Sequence, residues 1–401
     1  MAIEHPHGTG PSGWIRLPPA DEDFTANPVE LFFDLAFVFA FAQLVSFLVH
    51  HHDLEGILEA GLLFWMLWLP WTQLTWSANA VSAHARNVQA LMLVATVASV
   101  PMAAAVTSAL DDAGWMFTIP ISVILLMGLV LMTMGHPTGS AEWRSAIVYG
   151  IPNAAAIGLF LLGSAFDDQP VRVTLWLAGI AIIAGGTFVA GKGDWIIRPG
   201  HFAERHGLII IIALGEVIVA IAVPVLDALD VDEGLPKETI ASLAFAGLFA
   251  ALLWWGYFDR PQKVFESRFE QVTGSARAQY ARDVYTYIHA LIVSGVIFSA
   301  AALEEITLHP DDTLDYGVRM MLLLGLGLFF GGVELATLRA YHVVPPERAG
   351  AIAVLAAVLF LGENVDGIWL LAAIDLVIFI TLVLEGRRLE HPGDTRRAVT
   401  D

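Results

Sequence analysis

VELFFDLAFVFAFAQL, Val29 to Leu44, sets two carboxylates into an otherwise almost unbroken apolar run. Asp34 follows Glu30 by four residues, so on a helix both side chains share one face, one turn apart. An acidic residue at the centre of a membrane helix costs about 3 kcal/mol even on lenient insertion scales, so it normally has a partner or a task. The pattern recurs downstream in HFAERHGLIIIIALGE, His201 to Glu216, where Glu204 and Arg205 open an apolar stretch and Glu216 lies inside it. Runs of this length and hydropathy are membrane-crossing helices, so these two segments decide the fold.

The composition agrees. Hydrophobic residues fill 57% of 401 positions, only 15% are charged, and the mean hydropathy is +0.67. A soluble core cannot absorb that much apolar surface; an all-α polytopic membrane bundle can. The chain has no cysteine, which excludes disulfides and thiolate metal sites. A formal net charge of −20, from 40 acids against 20 bases, argues against nucleic acid as a partner. The expected partners are the lipid bilayer and a small solute or ion, with no cofactor and no metal. The first 28 residues are polar, with Arg16 their only base, and do not read as a signal peptide. The first apolar helix is expected to serve as the insertion signal.

Twelve crossing helices are expected, at about 29–49, 56–77, 86–108, 114–134, 143–164, 171–190, 204–225, 239–258, 283–303, 316–337, 347–361 and 367–385. The eleventh is the weakest, because its uncharged part runs only from Gly350 to Leu361. With a cytoplasmic N-terminus, the outer side keeps only Arg172, Lys237 and Arg319 of the 20 bases, a strong positive-inside bias. The same bias supports the eleventh helix, since without it the C-terminal arginines fall outside. Both termini are therefore expected in the cytoplasm. Acidic residues such as Asp111, Asp112, Asp167, Asp168 and the Asp227–Glu233 cluster fall on expected outer loops, either drawing cations or only keeping the loops solvated. In the basic connection Asp259–Asp283, Val264, Phe265, Phe269 and Val272 have the spacing of an amphipathic helix lying along the inner membrane surface.

A weak internal duplication is visible. Glu30 opens one segment as Glu204 opens the other, with Gln43 and Glu216 at similar distances beyond. LLFW (Leu62–Trp65) matches LLWW (Leu252–Trp255), and VQALML (Val88–Leu93) matches IHALIV (Ile288–Val293). Six helices per copy make the two copies parallel repeats. The expected organisation is a polar cytoplasmic segment 1–28, a six-helix repeat 29–190, a linker 191–203, a second repeat 204–385 and a cytoplasmic tail 386–401.

Glu30, with Pro28 ahead of it, reads either as a carboxylate stabilised by the helix N-terminus or as part of a site. Asp34 is about 6 Å deeper and harder to dismiss. Arg205 is a plausible counter-ion for these carboxylates and for Glu204. Glu216, about 18 Å along its helix from Glu204, has no evident route for its carboxylate to reach the interface. It is either a hydrogen-bonded structural group or a carboxyl that gains and loses a proton. His289 is a buried hydrogen-bonded histidine or a relay. Asp375 lies mid-segment without a motif, whereas Glu334, after the Gly327–Gly331 pair, reads as a packing site ion-paired to Arg339. Trp65, Trp68, Trp71 and Trp76 read chiefly as packing and interface residues. His50, His51 and His52 form a loop tract with little claim to a metal, and no catalytic constellation is legible.

VELFFDLAFVFAFAQL resembles the first-helix signature of the bacterial low temperature requirement A family, and HFAERHGLIIIIALGEVIVAIA resembles its second. LLWWGYFDR and YTYIHALIVSGVIFSA are similar to its later blocks, so the resemblance runs from about residue 20 to 390. Glu30, Asp34, Glu204, Arg205, Gly215 and Glu216 are the motif positions present here. The resemblance implies a multi-pass protein of the bacterial cell membrane linked to growth in the cold, and supplies no reaction. The leading expectation is a secondary transporter or ion-translocating protein, its two halves rocking around a site in which Glu216 binds a proton or cation. Asp34, Glu204 and Arg205 would form an inner network, with Glu30, His289 and Gln43 as further candidates. A membrane-embedded enzyme or lipid-handling factor, and a structural or sensory protein, stand as alternatives.

Overall fold

Each expected segment forms a helix in the computed structural model, which describes residues 25–81, 83–227 and 235–390. The N-terminal segment to residue 24, most of the acidic loop after Asp227, and the tail from residue 391 with Arg396 and Arg397 lie outside the described residues. The first six helices are α1 (Pro28–His50), α2 (Leu54–Ala78), α3 (Arg86–Ala104), α4 (Gly114–Met134), α5 (Ala141–Ser164) and α6 (Gln169–Ala190). Then come α7 (Pro199–Asp227), α8 (Lys237–Phe258), α9 (Pro261–Gln271), α10 (Gly274–Tyr280), a π-helical turn (Ala281–Ile288) and α11 (His289–Leu308). The chain continues through α12 (Tyr316–Tyr341), α13 (Pro346–Leu361) and α14 (Gly367–Glu390). Polar side chains set several starts: Asn27 and Glu30 form a reciprocal capping box on α1, and Asp53, Ser140 and Asp168 cap α2, α5 and α6.

Among the described residues, eleven helices are long and apolar enough to cross a membrane. The remaining expected segment is α13, whose 16 residues reach only about 24 Å. Its place is fixed by charge rather than length. Arg348, 2% exposed, pairs with Glu385 of α14 at 3.0 Å and donates to the Gly256 carbonyl of α8 at 2.8 Å. Arg388 of α14 returns a pair to Glu347 at 2.8 Å. The expected surface helix is α9, but its apolar face is not left for lipid. Phe265 packs on Tyr257, and Phe269 packs on Phe202, Tyr280 and Tyr285; both phenylalanines are fully buried. Aromatic partners supplied by the protein take the place of the membrane surface.

The chain forms two compact units. The first comprises residues up to Ala213 together with Glu266–Ala290. Within it α1 packs on α2 and α3, α2 on α4 and α6, and α3 to α6 pack in sequence. The second comprises Leu214–Phe265 and the chain from Leu291. There α8 packs on α14, and α13 on both α12 and α14.

Small residues allow the tightest approach in the second unit, though not the pair expected from sequence. Gly327 and Gly331 face open space, whereas a Cβ on Gly325 of α12 would come within 2.4 Å of Ser299 Oγ and 2.8 Å of the Gly295 carbonyl of α11. A Cβ on Gly295 would meet the Gly325 carbonyl and the Phe329 amide at 2.6 Å. Backbone against backbone leaves no room for a side chain. Gly325→Leu is therefore expected to lower stability by about 1–3 kcal/mol through overpacking, while Gly327→Leu leaves it near wild type; thermal unfolding of both variants in detergent measures the difference.

Candidate functional site

In the first unit, α1 and the N-terminal turns of α7 bring together a buried charged cluster. Glu30 and Asp34 present one face of α1; His201 and Arg205, also four residues apart, present one face of α7. Arg205 grips Asp34 through two bonds, Nε to Oδ2 at 3.0 Å and Nη2 to Oδ1 at 2.6 Å. Its Nη1 reaches Glu30 Oε1 at 3.3 Å, and His201 Nε2 meets Glu30 Oε2 at 3.2 Å. The pairs 30–201 and 34–205 keep the same offset, so the two helices run side by side in the same sense. Trp71 of α2 donates its indole N–H to Asp34 Oδ1 at 2.8 Å, and the Asn27 amide donates to Glu30 Oε2 at 2.7 Å. Every carboxylate oxygen of Glu30 and Asp34 thus accepts at least one hydrogen bond. All four charged or ionisable side chains are 0% exposed.

Such a cluster is weak evidence of net stabilisation, because desolvating its members offsets much of their attraction; removing one partner, in contrast, is costly. Its charge count is informative. Two carboxylates face one guanidinium, so with His201 neutral the group carries one excess negative charge, and a proton on His201 balances it. Glu204 does not join Arg205 as the sequence suggested. It lies on another face of α7 and accepts the Ala26 amide at 2.7 Å, tying the segment ahead of α1 to α7.

Beside the cluster, the sequence candidate His289 belongs to an aromatic and imidazole group built around His206, which sequence reasoning missed. His206 donates through Nδ1 to the Phe202 carbonyl at 2.8 Å, which leaves Nε2 as an acceptor. That nitrogen is buried and has no hydrogen-bond partner. The His206 ring sits against Trp71, Phe202, Tyr285 and His289, with centroids 5.0, 4.7, 5.1 and 5.4 Å away. His289 is fully buried, bonds the Val284 carbonyl through Nδ1 at 2.8 Å, and stacks on Tyr285. It closes the π-helical turn, a feature often found at functional sites. In that turn the Thr286 carbonyl accepts the Trp68 indole N–H at 2.8 Å.

The second unit holds carboxylates of a different kind. Glu216 is 2% exposed and its Oε2 has no hydrogen-bond partner, while Glu304 lies close enough to repel it. Asp375 on α14 is 3% exposed with neither oxygen bonded. Glu334 on α12 also has both oxygens unbonded, so the expected pairing with Arg339 is not made; Arg348 is the stronger of the basic groups acting on it. Gln43, in the first unit, is half-buried. His50, His51 and His52 each bond a backbone carbonyl within their own segment. Among the described residues no group of three or more histidines and acids gathers as a metal site.

The eleven crossing-length apolar helices among the described residues, with charges buried in and beside them, define a polytopic helical membrane protein. The chain belongs to the bacterial low temperature requirement A protein (LtrA) family, whose sequence profile matches residues 25–383. It is similar to the uncharacterized protein RA0937 of Rhizobium meliloti (strain 1021), with 27% identity over 405 residues covering 98% of this chain and 94% of that protein. No solved structure matches it.

The cluster makes a direct prediction. Arg205→Met strands two buried carboxylates and should lower stability by about 3–5 kcal/mol. Adding Glu30→Gln and Asp34→Asn should restore part of the loss. Thermal unfolding of the purified variants reads both effects, and an Arg205→Met protein as stable as wild type would refute the role given to the cluster.

Proposed function

We propose that this protein is a secondary transporter or ion-translocating protein of the bacterial cell membrane, in which Glu216 binds the coupled proton or cation. The observation that carries the reading is the Glu216 carboxylate, 2% exposed within the 28-residue apolar span Pro199–Leu226, with Oε2 unbonded. An ionisable group kept inside a membrane span without a fixed partner is the arrangement that proton and ion pathways use. Asp375 and Glu334 lack hydrogen bonds in the same way and are the next candidates along such a pathway. The Glu30, Asp34, Arg205 and His201 cluster, in which every carboxylate oxygen accepts a hydrogen bond, takes a positioning role instead.

Two organisational features belong to this reading. Both termini face the cytoplasm, in keeping with the bias of basic residues. Residues 29–190 and 204–385 are parallel six-helix repeats joined by 191–203, with α13 completing the second. The shared sense of α1 and α7 at their paired N-terminal turns supports that relation.

In proteoliposomes with an imposed pH gradient, the purified protein is expected to carry proton-coupled flux that empty liposomes lack. Glu216→Gln should abolish that flux while the protein keeps its unfolding temperature. Unchanged flux in the variant would remove Glu216 from the mechanism; no flux in the wild type above the empty-liposome level would remove transport itself.

A further inference from the structure

A groove of about 650 Å³ opens between the first turns of α2 and α6, wholly within the first unit. Its two walls start at the same end, tied there by Gln169 of α6, whose Nε2 donates to Glu59 Oε1 of α2 at 2.5 Å. Glu55, Glu59 and Gln169 form the polar end of the lining. Leu58 and Leu62 continue it along α2, and Val173 and Leu177 along α6. At 1.5 Å per residue, Leu62 lies about 10 Å along its helix from Glu55, and Leu177 about 12 Å from Gln169. The groove is therefore polar where the two helices begin and apolar along their length, the gradient that a bilayer has from headgroup to chain. Leu58 and Leu177 are 65% and 51% exposed, so in a membrane this lining faces lipid.

Helix capping does not account for the two glutamates. Asp53 already caps α2 by accepting the Gly56 amide at 2.8 Å, and Asp168 caps α6 by accepting the Val171 amide at 3.0 Å. Glu59 lies in the second turn, where the pull of the helix N-terminus has faded. Glu55 and Glu59, four residues apart, share one face of α2. Asp53 and Asp111 add to the negative potential at Glu59, and the basic group acting there is His51, whose Nδ1 bonds the Phe47 carbonyl.

Charge and hydropathy together select the occupant. Carboxylates gathered at one end of an apolar groove repel an anionic lipid and attract a cation. The rest of the lining is apolar, so that cation has to be carried on a hydrocarbon chain. A primary ammonium suits the site better than a quaternary one, because it donates three hydrogen bonds and carboxylates only accept them.

We infer that this groove is a binding site for a membrane phospholipid with a primary-ammonium headgroup, the ammonium held between Glu55 and Glu59 and one acyl chain lying along Leu58, Leu62, Val173 and Leu177. The lipid's phosphate is left at the open side of the groove, away from the carboxylates. The site rests on the membrane-spanning fold and not on proton coupling at Glu216, since its test reads lipid retention alone.

The test uses full-length protein in nanodiscs of phosphatidylethanolamine, phosphatidylcholine and phosphatidylglycerol, in equal parts with identical chains. Native mass spectrometry of the released protein then reports which lipid stays bound. Phosphatidylethanolamine is expected to be retained about tenfold over either competitor, the scale of one hydrogen bond to a charged group. The double variant Glu55→Gln/Glu59→Gln should lose that preference. Val173→Trp, which fills the apolar end and leaves both acids in place, should remove the retained lipid. Both variants should keep the wild-type unfolding temperature, because these positions line an open groove. The wild-type ranking needs no variant and decides the question if either variant fails to fold. Equal retention of phosphatidylethanolamine and phosphatidylcholine, a preference for phosphatidylglycerol, or a preference that survives either variant would overturn the assignment. Glycerophosphoethanolamine, the same headgroup without chains, should not displace the lipid; displacement would also overturn it, assigning the acids to a water-soluble amine.

Discussion

Arg205 holds Asp34 through two hydrogen bonds and Glu30 through a third, all out of reach of solvent. Much of the first unit follows from that constraint. Buried charges tolerate little displacement, because each lost bond leaves an uncompensated group in a medium of low polarity. The two pairs 30–201 and 34–205 therefore fix the register and direction of α1 against the start of α7. The Asn27 capping box and the Ala26–Glu204 bond tie down the chain just before α1, and Trp71 brings in α2. From Trp71 the packing passes through His206 to Tyr285 and His289 in and beside the π-helical turn. One guanidinium thus organises three helices, and the packing that starts from it reaches the π-helical turn.

The second unit treats its acids in the opposite way. Glu216, Asp375 and Glu334 are as withdrawn from solvent as a core residue, yet they lack the bonds that quiet Glu30 and Asp34. Packing defects do not account for the contrast, because the same unit encloses Gly295 against Gly325 at backbone contact and pairs Arg348 with Glu385 and the Gly256 carbonyl. A chain that can pair buried charge well leaves these carboxyls open. That contrast, more than the presence of acids in apolar helices, is what the transport reading rests on.

Hydropathy made the helices legible, since each crossing segment is a long apolar run bounded by polar or capping residues. It made α13 look doubtful for a sound reason: 16 residues are short for a bilayer, and the helix is held by charge pairs across to α14 that no single-segment reading displays. The α9 face was readable as apolar but not its neighbour, because an aromatic wall and a lipid surface satisfy the same pattern. Gly327 and Gly331 have the spacing of a packing motif, yet the face that meets α11 carries Gly325; which face is buried depends on helix rotation. The pairing of Arg205 with Glu30 and Asp34 could be anticipated from charge alone. His201 could have been found too, one turn before Arg205 on the same face. The contacts of Trp71, His206 and Tyr285 could not, since they depend on interhelical register and on a π-helical turn without a periodic signature.

The central claim is that a carboxyl inside α7 exchanges a proton. Infrared difference spectra of the protein in lipid, recorded between acid and alkaline buffer, observe that event without knowledge of any substrate. The account predicts a protonated-carboxyl stretch that appears on acidification, disappears on return to alkali, and loses a resolved component in Glu216→Gln. Identical difference spectra from wild type and Glu216→Gln would contradict it.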